Sequence, residues 1–177
     1  MDKIVFDVET KNDFADVGGR DNLKDLEISV LCCYSYEKDA YLSFEENELE
    51  EFGKIIQKCE LIIGFNIKNF DLPVIEKYLK FKVTALPCFD IFEAVTEVLG
   101  RRIGLGALAE ANLGAGKSGS GLEAIQLFKA GKIKELKDYC IQDVKVTKDL
   151  YELIKRQGYL WIPERNVPQM TKIPIEY

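Results

Sequence analysis

The sequence predicts a single α/β domain whose sheet begins with antiparallel strands and continues with parallel ones. Apolar segments rich in β-branched residues at 3–9, 27–36 and 40–44 predict three strands, and a short charged turn joins the last two. After residue 45, helical spacing of apolar residues alternates with short apolar strands, which is typical of parallel strands joined by helices. A chain of 177 residues, 47% of them hydrophobic, is long enough to bury the core of one such domain.

The same periodicities predict the remaining elements. Short strands are expected at 61–65 and 86–90. Helices are expected at 46–58, 71–79, 91–99, 104–112, 122–130 and 132–156. We predict that residues 1–156 form the domain. Residues 157–177, which are rich in proline, are predicted to form an extended tail packed on the same domain, with one strand-like patch at 159–162.

Composition excludes several kinds of chemistry. The sequence has no histidine, which removes histidine-based nucleophile systems, histidine metal ligands and imidazole bases. Its five cysteines are scattered without a CxxC pair and are expected to be reduced core residues. No apolar run approaches the roughly 18 to 20 residues that cross a bilayer, and the first residues are too charged for a signal peptide. We therefore expect an intracellular, cytoplasmic, soluble protein with no membrane partner.

The stretch ANLGAGKSGSG at residues 111–121 matches a relaxed form of the phosphate-binding loop of nucleotide hydrolases. A functional loop of that kind follows a strand and opens a helix, so that backbone N–H groups and the helix dipole face the phosphates. Here a predicted helix precedes the stretch, and the glycines after Lys117 disfavour an immediate helix start. We therefore expect no ATP binding and interpret the stretch as a flexible loop between helices.

Two acids lie in the first predicted strand. Because side chains alternate along a strand, Asp7 and Glu9 project to one side, and Ile4, Phe6 and Val8 to the other. Two carboxylates close together at the end of an apolar strand repel each other unless a cation neutralises them. The alternative is that both acids are exposed on an edge strand, where charges are common.

Two further acids stand at predicted helix positions. Asp71 follows a predicted strand and begins a helix, where Asp is also an ordinary N-cap. In the last predicted helix, a spacing of four places Tyr139 and Asp143 on one face within an apolar stripe, where an ionised Asp is costly unless it is paired or metal-bound. The alternative there is a core tyrosine with a boundary charge near Lys145 or Lys148.

Together the four acids offer carboxylate oxygens from one strand and two helices. Hard divalent cations such as Mg²⁺ and Mn²⁺ prefer such ligands. Two ions roughly 4 Å apart activate a water molecule and stabilise the attacking and leaving oxygens of a phosphodiester, which is chemistry that needs no histidine. We expect a site for two Mg²⁺ or Mn²⁺ ions held by Asp7, Glu9, Asp71 and Asp143.

The order of these residues resembles the three motifs of the DEDD 3′–5′ exonucleases, tyrosine branch (DEDDy), within the ribonuclease H-like superfamily. The motifs are Asp-x-Glu at 7–9, Asn-x-x-x-Phe-Asp at 66–71 and Tyr-x-x-x-Asp at 139–143, and the resemblance runs from residue 3 to about residue 151. The segments GFNIKNFDLPVI and LKDYCIQDVKVTKDLY are also similar to bacterial and viral predicted exonuclease domains, some joined to helicases, that carry a Gly-Lys-Ser-Gly loop before the last helices.

The resemblance implies a five-stranded mixed sheet flanked by helices. It also implies two-metal hydrolysis at the 3′ end of DNA or RNA, with release of nucleoside 5′-monophosphates. The four acids would hold the metal ions, and Tyr139 would orient the attacking water, because a phenol with an ordinary pKa of about 10 is a poor base at neutral pH. A structure-selective endonuclease and a non-catalytic nucleic-acid or helicase-binding module with the same fold are the alternatives.

The expected substrate is a nucleic acid with a 3′ end, single-stranded DNA first and RNA as the alternative, and the expected protein partner is a helicase or a polymerase. Thr10, Phe14 and Asn66 lie where the family often contacts the terminal nucleotide, although a turn hydroxyl, a core ring and a turn residue are the ordinary interpretations. Lys117 is a candidate phosphate contact. Asp90 is either a helix cap or an acid close to the metal ligands. Further candidate phosphate contacts are Arg101, Arg102, Lys132 and Lys134.

Overall fold

The central sheet consists of the strands β1 (Asp2–Thr10), β2 (Ile28–Ser35), β3 (Ala40–Glu45), β4 (Cys59–Gly64) and β5 (Cys88–Asp90). The structure is a computed structural model that describes residues 2–114, 119, 121–164 and 169–177. The strand order is β3-β2-β1-β4-β5. Strand β2 pairs antiparallel with β1 and β3, and β4 pairs parallel with β1 and β5. The predicted five-stranded mixed sheet is confirmed, with β1 at its centre.

The helices that flank the sheet are α1 (Leu49–Ile56), α2 (Asp71–Ile75), α3 (Ile91–Leu99), α4 (Leu105–Leu113), α5 (Gly121–Lys129) and α6 (Ile133–Gln157). The predicted segments 46–58 and 71–79 are shorter as α-helices, because 3-10 turns take up Glu46–Glu48 and Glu76–Tyr78. Within the described ranges, none of these helices is long and apolar enough to span a membrane.

Two hydrophobic clusters lie on opposite faces of the sheet. On one face, Cys140 and Val144 of α6 belong to the same buried cluster as Val5 of β1. On the other face, Phe52 of α1 meets Phe6 of β1 with 5.3 Å between ring centroids. Because neighbouring residues of β1 enter different clusters, the predicted alternation of this strand is confirmed. Packing on both faces fixes β1 and α6 relative to each other.

The last segment folds into a hairpin, which corrects the prediction of an extended tail with one strand-like patch. Strands β6 (Tyr159–Pro163) and β7 (Met170–Pro174) pair antiparallel. Leu160 and Ile173 are buried in the cluster that contains α6. Asn112 of α4 closes the outer edge of β6, since its side chain accepts from the Trp161 N–H and donates to the Trp161 carbonyl, both at 2.7 Å. Pro174 is tolerated at the end of an edge strand. The boundary at residue 156 stays a prediction.

The turn after β4 depends on Gly64. A Cβ atom at this position would lie 2.5 Å from Cδ1 and 2.7 Å from Cβ of Ile67, which is fully buried. Asn66, two residues on, has a φ of 61°, in the left-handed region. The loop that leads from β4 to Asp71 therefore folds back closely on the end of its own strand.

We predict that Gly64→Ala destabilises the protein by about 1 to 3 kcal/mol, because Ile67 is too deeply packed to make room for a methyl group. Urea denaturation of the metal-free protein measures the change. Gly104→Ala is the matched control, since nothing lies within 4 Å of a Cβ at position 104. Equal stability of the two variants would contradict the prediction.

Candidate active site

The first two acids of the site come from β1, the central strand. Asp7 is half-buried and Glu9 is 8% exposed. Since β1 has β2 on one side and β4 on the other, the alternative of two exposed acids on an edge strand is wrong. Val5, on the same side of the strand as Asp7, lies in the cluster formed with α6. The strand therefore presents both carboxylates toward the layer that contains α6.

Helix α6 brings Asp143 to these two acids. One carboxylate oxygen each of Asp7, Glu9 and Asp143 lies within 4.8 Å of the other two, and we call these three residues the acidic cluster. Tyr139 lies one helical turn before Asp143, and the charges of Asp143, Glu9 and Asp7 act on its phenol. The predicted i,i+4 spacing thus places the phenol beside the acidic cluster.

Asp71 approaches from the other layer of the fold. It is 4% exposed, and its Oδ1 accepts a hydrogen bond of 3.0 Å from the backbone N–H of Val8, between the two acids of β1. The predicted alternative of an N-cap is wrong, because the cap position of α2 is Phe70 and its side chain makes no capping bond. Asp71 does not belong to the acidic cluster, but its negative charge acts on Asp7 and Glu9.

Burial and neighbouring negative charges disfavour the ionised forms of the acids of β1. Burial, followed by the charges of Asp71, Glu9 and Asp143, raises the pKa of Asp7 well above its ordinary value. Burial, followed by the charges of Asp143 and Asp71, does the same to the pKa of Glu9. Burial raises the pKa of Asp71 to about 7 against the opposing effect of its backbone hydrogen bonds. The causes given for Asp7 and Glu9 all act in one direction.

Tyr139 is neutral at physiological pH. Burial raises the pKa of its phenol first, and the charges of Asp143, Glu9 and Asp7 raise it further. A group with a pKa above the ordinary value of about 10 is not a general base at neutral pH. Its hydroxyl is available as a hydrogen-bond donor and as an acceptor.

The residues fit a divalent cation. Carboxylate oxygens are the ligands that Mg²⁺ and Mn²⁺ prefer, and the oxygens of the acidic cluster are close enough for shared ligation. A bound cation stabilises the ionised carboxylates. It therefore lowers their pKa values, against the effects of burial and of the neighbouring negative charges. Asp7, Glu9 and Asp143 would hold the metal directly, and Asp71 stands next to them from α2.

A groove leads away from the acidic cluster. One cavity of about 430 Å³ is lined by Asp7, Asp143, Asn66, Phe92 and Arg102 among others. A second cavity, of about 540 Å³, shares the last three of these residues. Because the two cavities share three lining residues, they are adjacent, and we call the pair the aromatic groove.

Two guanidinium groups stack on aromatic rings in the aromatic groove. Arg102 lies 5.1 Å from the ring centroid of Phe92, and Arg20 lies 4.7 Å from that of Phe14. Phe14 also packs edge to face on Phe70, at 5.9 Å between centroids. The sequence analysis identified Phe14 and Arg102 as candidate substrate contacts, but it did not identify Arg20 and Phe92, with which they pair. Rings and guanidinium groups in a shared groove suit unstacked bases and phosphates.

The other predicted substrate residues have different surroundings. Asn66 lines both cavities of the groove. Thr10 is nearly buried, and its hydroxyl donates to the carbonyl of Asn12 at 2.8 Å, as in the turn-hydroxyl alternative. Lys117 lies outside the described residues. The substrate contacts of all three stay predictions.

Asp90 is a helix cap that also fixes the loop of the site. Its side chain accepts from the N–H of Phe92 in the first turn of α3, at 3.0 Å. It accepts as well from the N–H groups of Asn66 and Lys68, at 2.8 and 3.0 Å. The helix-cap interpretation is therefore correct, and nothing in the sequence indicated the second role.

Most of the other basic candidates bind within the protein. Arg101 donates to the carbonyl of Pro163 in the hairpin at 2.9 Å. Lys132 pairs with Glu135 at 3.0 Å. Lys134 is exposed on the first turn of α6. Arg102 alone of these described basic candidates lines the aromatic groove.

A thiol lies directly behind the acidic cluster, which the sequence analysis missed. Cys140 Sγ is 3.5 Å from the carbonyl oxygen and 3.8 Å from the Oδ2 of Asp7. Burial and a hydrogen bond with Cys32 raise the pKa of Cys140 well above its ordinary value, so the thiol is protonated and can donate to the carboxylate. Its position next to Tyr139 in sequence was the one available signal.

The chain matches the family described as the RNase_H superfamily over residues 4–155. Among solved structures it is similar to the family B DNA polymerase from the hyperthermophilic archaeon Pyrobaculum calidifontis, with a TM-score of 0.65 and 17% sequence identity. That similarity covers 88% of this chain and 24% of the polymerase, so the chain spans about a quarter of that protein. No curated protein matches the chain in sequence. The family match covers most of the chain, and the chain therefore belongs to the RNase_H superfamily.

Proposed function

We propose that the protein is a metal-dependent 3′–5′ exonuclease that releases nucleoside 5′-monophosphates from DNA or RNA. The observation that carries the proposal is the convergence of the acidic cluster within 4.8 Å, with Asp71 and Tyr139 beside it. A structural role alone gives no reason to bring together carboxylates whose charges raise the pKa values of Asp7 and Glu9.

Membership of the RNase_H superfamily supports a nuclease function in general and divalent metal ions as cofactors. The resemblance to the DEDDy motifs supports the finer statement of 3′–5′ polarity. The fold shared with a quarter of a family B DNA polymerase supports a polymerase as partner, with a helicase as the alternative.

The chemistry divides between the cofactor and the chain. Asp7, Glu9, Asp71 and Asp143 would hold two Mg²⁺ or Mn²⁺ ions. These ions would supply an activated water molecule and stabilise the attacking and leaving oxygens of the phosphodiester. Tyr139 keeps its proton, so its hydroxyl orients the attacking water by a hydrogen bond and does not remove a proton from it.

The aromatic groove supports a single-stranded substrate, with DNA first and RNA as the alternative. Its two ring and guanidinium pairs offer stacking surfaces for bases that are not paired. The groove begins at Asp7 and Asp143, so a strand bound along it has one phosphodiester at the acids. We propose that Asn66 and Phe14 contact the terminal nucleotide and that Arg102 contacts a phosphate.

Loss of one ligand should abolish activity. In Asp143→Asn, we expect Mn²⁺-dependent hydrolysis to fall by more than the roughly 10- to 100-fold that is typical of losing an outer partner of a metal site. The assay follows a 5′-labelled single-stranded oligonucleotide over time, with either a free or a blocked 3′ end.

Asp138→Asn is the control, because Asp138 is an exposed acid on the same helix. Shortening from the free 3′ end, with the blocked strand intact, is the expected pattern for the wild type. Cleavage of strands blocked at both ends would indicate an endonuclease instead. Absence of both hydrolysis and Mn²⁺ binding would indicate a non-catalytic binding module.

The stability of the metal-free protein should fall as the pH rises from about 4 to 7. The pKa of Asp71 is about 7 in the folded protein and 3.8 ordinarily, so the folded chain binds more protons than the unfolded chain in this window. Between pH 4.5 and pH 8, we expect the free energy of unfolding of Asp71→Asn to rise by on the order of 2 to 4 kcal/mol relative to that of the wild type.

Urea denaturation in a chelator at each pH measures this difference. Asn retains an oxygen that can accept from the Val8 N–H, so the variant preserves that hydrogen bond. Added Mn²⁺ should raise the stability of the wild type at pH 8, since ligands of the folded state stabilise it. If the difference in the free energy of unfolding between Asp71→Asn and the wild type does not grow as the pH rises, the raised pKa of Asp71 is contradicted.

Arg102 should contribute to substrate binding without affecting the metal site. We expect Arg102→Ala to weaken binding of a single-stranded oligonucleotide about 10-fold and to lower the salt dependence of binding by about one phosphate contact. Fluorescence anisotropy with Ca²⁺ in place of Mn²⁺ measures both quantities. Arg156→Ala, an exposed change in the last turn of α6, is the control and should have little effect.

A further inference from the structure

Gly119, in the glycine-rich stretch at 111–121, lies against the ring of Tyr139. A Cβ atom at position 119 would lie 2.8 Å from Cε2 of Tyr139 and 2.5 Å from Oε2 of Glu123. Real Cβ atoms do not approach other heavy atoms so closely. Side-chain atoms of Tyr139 and Glu123 therefore occupy the space that a side chain at position 119 would need.

Two independent features require glycine at this position. Its φ of 148° is a conformation that residues with a side chain rarely adopt. Its contact with Tyr139 also leaves no room for a methyl group. Gly121, two residues later, differs in both respects, because a Cβ there meets nothing within 4 Å and its φ lies outside the left-handed region.

The two neighbours of Gly119 differ in how easily they can move. Glu123 is exposed, and its carboxylate is the far end of a flexible side chain. Tyr139 is half-buried, and its ring packs against the core. A methyl group at position 119 would therefore displace Glu123 at little cost, but could displace the ring of Tyr139 only by disturbing this packing.

The contact point on the ring is the one closest to the reactive group. In a tyrosine, Cε2 is bonded to Cζ, which carries the hydroxyl. A push at Cε2 shifts the hydroxyl directly, whereas the carboxylates of β1 belong to another element. Gly119 thus acts on the phenol and leaves the metal ligands of β1 in place.

We propose that Gly119 is a positioning residue that holds the phenol of Tyr139 beside the acidic cluster. Gly119 then serves the reaction through Tyr139, by the close approach of its backbone. This proposal rests on the proposed function, because it assigns a purpose to the orientation of Tyr139.

The test compares Gly119→Ala with Gly121→Ala in the full chain. For Gly119→Ala we expect kcat to fall about 100-fold, the cost of a misplaced group in an active site, with KM and the affinity for Mn²⁺ changed less than threefold. Gly121→Ala should have wild-type kcat, because its methyl group enters open space in the first turn of a helix. Calorimetric Mn²⁺ titration and thermal unfolding accompany the kinetics.

A double-mutant cycle with Tyr139→Phe separates positioning from a general structural effect. The phenylalanine ring keeps the contact but has no hydroxyl to misplace. If Gly119 acts through that hydroxyl, Gly119→Ala lowers kcat further by less than threefold in the Tyr139→Phe background. An equal fall in both backgrounds, or loss of Mn²⁺ binding by Gly119→Ala alone, would overturn the proposal.

A readout without activity distinguishes this proposal from the proposed function. The ring signals of ¹³C-labelled tyrosine are recorded by NMR, and the Tyr139 signal among the eight tyrosines is the one lost in Tyr139→Phe. Gly119→Ala should shift that signal, and Gly121→Ala should not. A shift in a protein without nuclease activity would overturn the proposed function only, whereas an unmoved signal would overturn the contact itself.

Discussion

Electrostatic repulsion among carboxylates that folding brings together is the constraint on which the rest of this structure depends. One carboxylate oxygen each of Asp7, Glu9 and Asp143 lies within 4.8 Å of the other two, and burial together with this repulsion raises the pKa values of Asp7 and Glu9. Core packing on both faces of β1 and along α6 offsets the repulsion, since it fixes the two elements independently of the acids. The folded chain thus holds these carboxylates together against their mutual repulsion.

Several contacts outside the acidic cluster limit how the acids can relax. Asp71 is held by the Val8 N–H, and the thiol of Cys140 lies against Asp7. Asp90 binds the N–H of Asn66 and so fixes the loop that leads to Asp71. These contacts come from both layers of the fold and from three different strands or helices. Rigid surroundings keep the carboxylates in place, because movement apart would break hydrogen bonds that are themselves buried.

The glycine-rich stretch has a different meaning in the fold from the one its sequence suggests. Its match to a phosphate-binding loop depends on Lys117, yet the described residue that meets the site is Gly119. The glycines of a short motif indicate backbone conformations that other residues rarely adopt. Tight turns in proteins of many different functions require such conformations. The aromatic groove is also hard to recognise in the sequence, because its rings and guanidinium groups come from segments that are far apart along the chain.

The sequence by itself determined the features that depend on local periodicity. Alternation along β1 placed Asp7 and Glu9 on one side, helical spacing paired Tyr139 with Asp143, and apolar patterning located most of the strands and helices. Tertiary structure alone decided which of the acids converge, because Asp71 reaches Val8 across 63 residues. It also decided that the last segment forms a hairpin and that Gly119 meets Tyr139. Contacts between distant segments leave no periodic signal, since they depend on how whole elements pack and not on the spacing of residues within one element.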